Sequence, residues 1–294
     1  MNESDGPPFW GLDEVAFRFL ELHETRAHAL GGRLMRDLGD AVLLYSPRDR
    51  EPFFNRLAAV RWPEDEDAFD RRLAEAIALF AGIDRRPHIW TPAAFGRPAD
   101  LPARLAGRGF RDTASGYFMV LVHPPAAGRA PADPVGPPIT PDATVLPDLS
   151  LERIDGGPGV TVRPETLREI SWVLASSFGV DPDELAAVEA ETAAAFGSAA
   201  FHVCLVRSGR TAVAIAKRYT FDGATYLSSI GTVPGQRGRG LASLVTEAVI
   251  RDGLAESPGD VYLGVHAHND RAIELYRRAG MEIVGGRTRD LLLA

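Results

Sequence analysis

Ile230-Gly-Thr-Val-Pro-Gly-Gln-Arg-Gly-Arg-Gly-Leu-Ala242 decides how the rest of the chain is read. A β-rich run breaks at Pro234, crosses a loop of glycine and arginine, and becomes an amphipathic segment from Leu241 onward. The pattern is strand, loop, helix N-terminus. A helix start leaves several backbone N–H groups without intrahelical partners, and the macrodipole adds about half a positive charge there. Such a place accepts an anion. Gly238 and Gly240 present no side chain to a phosphate and can take dihedrals closed to other residues. Arg237 and Arg239 set guanidinium groups on either side. An ordinary basic β-to-α turn has the same look, so context must decide.

Two phosphate motifs fail. No Gly-Lys-Ser/Thr follows the loop, which removes a Walker-type nucleotide site, and Gly238-Arg-Gly240 is followed by Ser243 instead of the third glycine of a dinucleotide fingerprint. The spacing Arg237-x-x-Gly240-x-Ala242 after a strand resembles the acyl-CoA pyrophosphate signature of the GNAT acetyltransferase superfamily. A second block lies downstream: Val261-Tyr-Leu-Gly-Val-His266 reads as a strand, and Asn269-Asp-Arg-Ala-Ile-Glu-Leu-Tyr276-Arg-Arg-Ala-Gly280-Met281 as a helix ended by glycine. It is similar to the family's Asn-x-x-Ala-x-x-Leu-Tyr-x-x-x-Gly-Phe block, with Met281 where Phe is usual. The resemblance runs from about Ser150 to the C-terminus.

The resemblance implies acetyl-CoA as cosubstrate and no metal. Its pyrophosphate is expected on the backbone N–H groups of Gly238, Arg239, Gly240, Leu241, Ala242 and Ser243, with Arg237 beside them. The pantetheine arm is expected along Ile230, Gly231 and Thr232 as an added strand, with Asn269 touching the arm or capping its helix. A backbone N–H near Ile230 or Thr232 would face the acyl oxyanion, a contribution of about 3 kcal/mol in comparable sites. Tyr276, two helical turns from Asn269, is the expected acid for the departing thiolate; packing against the core is its structural alternative. No base is legible. Gly264 stands where family members acting on protein N-termini carry Glu, and Tyr226-Leu-Ser-Ser-Ile230 has no carboxylate. A water relay at Ser228 or Ser229, or His266, is left. His266 and His268 lack a third ligand for a metal. Glu184, Glu189 and Glu191 lie on the segment expected to line the acceptor side, or on a solvated helix face.

The function implied is N-acetyl transfer to an amine on a small molecule or peptide by direct attack. The alternative is a non-catalytic acyl-CoA-binding or regulatory protein.

The chain has 294 residues, 45% hydrophobic and 24% charged, a globular balance with room for two domains. The formal charge of -8 argues against nucleic acid as the main partner. Met1 to Pro8 is polar and acidic and no apolar stretch reaches spanning length, so a cytoplasmic protein without membrane contact is expected. The lone Cys204 reads as a small core residue. Nothing here sets the oligomeric state, and a homodimer stays open.

Prolines crowd His123 to Pro147, which marks a semi-rigid linker over 123–149 between domains at 1–122 and 150–294. In the second domain the expected order is a strand at Ser150–Ile154, helices at Arg163–Phe178 and Asp183–Phe196, and an antiparallel meander at 201–206, 211–219 and 225–233. The helix after the loop, the strand at Val261, the helix at Asn269 and a terminal strand pair over Met281–Leu293 complete it. This is the α+β plan of a GNAT domain: a mixed, mostly antiparallel sheet flanked by helices. In the first domain, helices are expected at Asp13–Leu30 and Glu64–Phe80 and strands at Asp40–Tyr45, Arg56–Arg61 and His88–Trp90. Leu101–Phe110 and Gly116–Val122 resemble the close of a second, degenerate GNAT-like unit, with no glycine loop before it. Glu64–Asp67 and Arg71–Arg72 read as a solvated helix start and face.

Overall fold

The computed structural model describes residues 12–92, 94–122 and 149–294. Its contacts form two compact units: Met1–Phe118 with Gly264–Asp270 and Ile283–Ala294, and Met119–Leu263 with Arg271–Glu282. The expected linker, except Leu149, lies outside the described residues, as does Met1 to Pro8.

In the first unit the order is α1 (Glu14–Ala29), β1 (Leu34–Asp37), β2 (Val42–Tyr45), β3 (Arg56–Ala58), α2 (Glu66–Gly82), β4 (His88–Thr91), α3 (Leu101–Gly107) and β5 (Phe110–Leu121), the last residues of β5 from Met119 being counted in the second unit. Both long helices start at an aspartate whose carboxylate accepts a first-turn N–H: Asp13 from Ala16 and Asp65 from Ala68. Each such cap stabilises by about 1 kcal/mol. Under α2, Phe69, Leu73, Ala76 and Phe80 recur at helical spacing and meet Leu57, Ile89 and Leu105 in the core. β1, β2 and β3 form an antiparallel meander, and β3 continues parallel to β4 at Leu57 and Ile89.

The second unit contains β6 (Leu149–Asp155), α4 (Pro164–Phe178), α5 (Leu185–Ala195), β7 (Phe201–Ser208), β8 (Thr211–Phe221), β9 (Ala224–Thr232), α6 (Leu241–Glu256), β10 (Asp260–His266) and α7 (Asp270–Arg278), with the last residues of β10 and the first of α7 counted in the first unit. Its sheet runs β6-β7-β8-β9-β10, antiparallel except for the parallel β9–β10 pair. α6 lies close on this sheet because Gly253 has no side chain; a Cβ there would stand 2.8 Å from Thr225 Cγ2. Cys204 is buried in β7, as expected of a small core residue.

The chain closes with β11 (Met281–Leu293), and here the structure departs from the sequence reading twice. The expected strand pair is one continuous strand. Gly285 and Gly286 lie within it with φ of +70° and +68°, and the Phe17 ring of α1 packs against Gly285 where a side chain would stand. The strand also pairs antiparallel with β4, Leu291 opposite Ile89, and so completes the sheet of the first unit in the order β1-β2-β3-β4-β11-β5. Arg289 on Asp112 and the Thr113 hydroxyl on Asp290 O bind it to β5. Two other expectations shift in detail: β1 was not foreseen, and Arg72 is tied to Asp40 by two bonds of 2.7 and 2.8 Å rather than left in solvent. Among the described residues no helix is long and apolar enough to cross a membrane.

Candidate functional site

The second unit's sheet opens at one point. β9 and β10 pair in parallel from Ala224–Asp260 to Leu227–Leu263, and the ladder ends there. At the same level β9 bulges against β8, where Ala216 faces two residues, because the register steps from Lys217–Ser228 to Ile215–Gly231. Ser229 carries the bulge with a φ of +52°. A bulge bends and twists its strand. The edge of β9 from Ser228 to Thr232 is therefore not consumed by β10, and it runs straight into the loop.

In that loop, Pro234–Gln236 makes a single 3-10 turn, and Gly238 and Gly240 follow with φ of +80° and +75°. Only glycine takes such dihedrals at little cost. Among the described residues, no atom beyond the immediate chain neighbours lies within 4 Å of where a Cβ would stand on either residue, so the space before the loop is open. Gly240 begins α6 without a side-chain cap, and the helix has no acidic residue in its first turn. Leu244 N donates to Gly240 O, so the N–H groups of Leu241, Ala242 and Ser243 precede the first helical bond. An open cradle of positive dipole is chemically suited to an anion. Arg239 is exposed and bonds Gln236, and the Arg237 guanidinium binds the carbonyls of Thr232 and Ser177.

α4 packs its last turn over the strand end. A Cβ on Gly231 would lie 2.7 Å from Ser177 Cβ and 3.0 Å from Phe178 Cε2, so glycine is required for the helix to approach. The Ser177 and Thr232 hydroxyls are buried without a hydrogen-bond partner among the described residues. Buried polar atoms of this kind call for a partner the protein does not supply. Neither contact is legible locally, since Ser177 and Gly231 are distant in sequence.

Tyr276 is buried on α7, and burial pushes its phenol above the ordinary value, so it stays a neutral O–H donor through the physiological range. Asn269 stands directly before α7 and its N–H donates to His266 O. Both Asn269 and the two histidines, His266 and His268, fall in the stretch grouped with the first unit. The histidine rings stack at 5.4 Å on one another. Ser228, Ser229 and Ile230 are half-buried on β9. Glu184 is exposed and Glu189 and Glu191 are half-buried.

The first unit treats its own strand–loop–helix turn differently. Ala59 has a φ of +52° after β3, but Arg61 bridges Arg97 and Trp62 N donates to Arg97 O at 3.0 Å, so the strand edge is paired again. Above it a charged network is buried. Arg56 is fully buried and holds both Glu24 oxygens at 2.7 and 2.5 Å, with its guanidinium 4.1 Å from the Phe53 ring. Burial would raise the Glu24 carboxyl, but Arg56 and His28 reverse this and bring it to about 2. Glu21 is pushed up to about 7 by burial, which Arg61 offsets only in part. Sequence reading missed this network, because Glu21, Glu24 and Arg56 look like surface residues until strand and helix are brought together.

No curated protein sequence matches the chain. A family model described as "FR47-like protein" matches residues 203–289. Among solved structures, a GCN5-related N-acetyltransferase from Kribbella flavida aligns with a TM-score of 0.60 at 19% identity, over 92% of this chain and 93% of that one. A tandem GNAT protein from the clavulanic acid biosynthesis pathway gives 0.54 at 15% identity, covering 79% and 71% of the two chains. A GCN5-related N-acetyltransferase from Sphaerobacter thermophilus gives 0.52 at 16%, covering 87% and 81%. Likeness at these identities speaks for the fold. Residues 203–289 are thus similar to the FR47-like family, and the chain shares the fold of these GCN5-related and tandem GNAT structures.

Proposed function

We propose that the second unit transfers an acetyl group from acetyl-CoA to an amine on a small molecule or peptide. The observation that carries the reading is the sequence of an unpaired β9 edge, two left-handed glycines facing open space, and an uncapped α6 N-terminus. Acetyl-CoA, when bound, supplies an activated acyl group on a thiol leaving group. The N–H groups of Gly238 to Ser243 would hold its diphosphate, and the free edge at Ile230–Thr232 would hold the amides of its arm. A β9 N–H at the bulge would face the acyl oxygen as negative charge gathers there. Tyr276 keeps its proton through burial and is the donor to the leaving thiolate. No carboxylate stands on Tyr226–Ile230, so the amine proton leaves through water held at Ser228 or Ser229.

Thiol release on a panel of amines, with mass-spectrometric detection of the product, tests the reaction. Acetyl-CoA binding with no turnover on any amine would convert the reading into a non-catalytic acyl-CoA-binding protein. Absence of binding would end both.

A further inference from the structure

The guanidinium of Arg237 is engaged by two backbone carbonyls outside the glycine loop. Its Nε donates to Thr232 O at 3.2 Å, at the end of β9, and a terminal nitrogen donates to Ser177 O at 2.8 Å, in the last turn of α4. Carbonyls of a helix's last turn have no intrahelical donor, and the dipole there is negative, so an arginine is the fitting cap. The two tethered carbonyls flank the point where α4 meets Gly231 without room for a side chain. Immediately beyond, Phe178 is 54% exposed, and Gly179, with a φ of +71°, turns the chain into the segment Asp181–Glu184. One residue of the glycine loop therefore sets where α4 ends relative to the free edge of β9.

We propose that Arg237 is a positioning residue. It straps α4 to β9, so that Phe178 and the turn after it form one wall of the pocket that receives the amine; it does not serve as a phosphate ligand. The proposal rests on the acyl-CoA reading for the identity of the pocket, but the strap itself does not. In terms of coupling, the loop that receives the donor and the helix end beside the acceptor share one side chain.

Arg237→Gln and Arg237→Lys test it through three readouts on the whole protein. Each lost bond is worth about 1 kcal/mol, so in the Gln variant amide exchange at Gly179 and Val180 should quicken about tenfold and the KM for the amine rise by a similar factor. The dissociation constant of acetyl-CoA should change less than about threefold, with its salt dependence unaltered, because no phosphate contact is removed. Lysine retains one donor and should restore part of both effects. A tenfold loss of acetyl-CoA affinity in the Gln variant overturns the proposal, whatever happens to exchange. So does quickened exchange with an unchanged KM for the amine. Should wild type bind no acetyl-CoA, the functional reading falls, and exchange at Gly179 and Val180 alone judges the strap: unchanged rates would sink it.

Discussion

Both units contain the same local plan, and they finish it in opposite ways. In each, the third strand of an antiparallel meander carries a left-handed residue within it (Ser229) or directly after it (Ala59), then leads through a loop and a helix to a parallel strand. In the second unit the loop is glycine, the strand edge is free, and α6 starts without a side-chain cap. In the first, Arg61 pairs with Arg97, Asp65 caps α2, and Glu66 and Asp67 add negative charge to its first turn. A helix N-terminus occupied by the protein's own carboxylates has no dipole to offer an anion. The same topology thus makes a cradle where glycine leaves it open and a plain structural turn where aspartate closes it.

The comparison breaks most visibly at Gly240. Gly240→Asp forces a left-handed dihedral on a β-carbon and sets a carboxylate where phosphate belongs, so acetyl-CoA affinity should fall about a thousandfold in a calorimetric titration. An affinity within threefold of wild type would show that the phosphate sits elsewhere. Tyr276→Phe should lower kcat about a hundredfold with little change in acetyl-CoA affinity, since a positioned acid contributes at least that much. Equal rates would remove Tyr276 from the chemistry and leave it a core residue.

The closed turn carries a cost of its own at Glu21. Its carboxyl is raised from an ordinary 4.5 to about 7 by burial, so its contribution is complete below about pH 4.5 and is lost as pH climbs through 7. Glu21→Gln should therefore stabilise the protein above pH 7 by about 2 kcal/mol and flatten the decline between pH 5 and 7 in urea unfolding. A variant less stable than wild type at pH 8 would mean that the ionised Glu21–Arg61 pair is net favourable. Smallest is Asp65→Ala, which removes the α2 cap and should cost about 1 kcal/mol, read as a fall in urea midpoint. It should not create a second acetyl-CoA site, because the Arg61–Arg97 bridge still closes the strand edge.

Much of the second unit could be read from its residues. Alternating and 3.6-spaced apolar positions mark β7 to β9 and α6, and in the amphipathic segment from Leu241 onward Leu241, Val245, Ala248 and Val249 are buried, with Leu244 half-buried. The loop glycines were legible because a dihedral requirement leaves a compositional trace. What stayed hidden depends on partners far along the chain. Nothing near Arg237 says that its side chain turns toward Ser177, and nothing near Gly285-Gly286 says that Phe17 will pack against Gly285 within one continuous β11. Arg56 reads as an exposed strand residue until α1 supplies Glu24. Burial of a charge is a property of the assembled unit, and periodicity carries no signal for it.

The most direct test of the account is a calorimetric titration of the wild-type chain with acetyl-CoA. One site per chain is predicted, from the glycine loop of the second unit alone. Two equivalent sites, or none, would contradict the contrast between the open turn and the closed one.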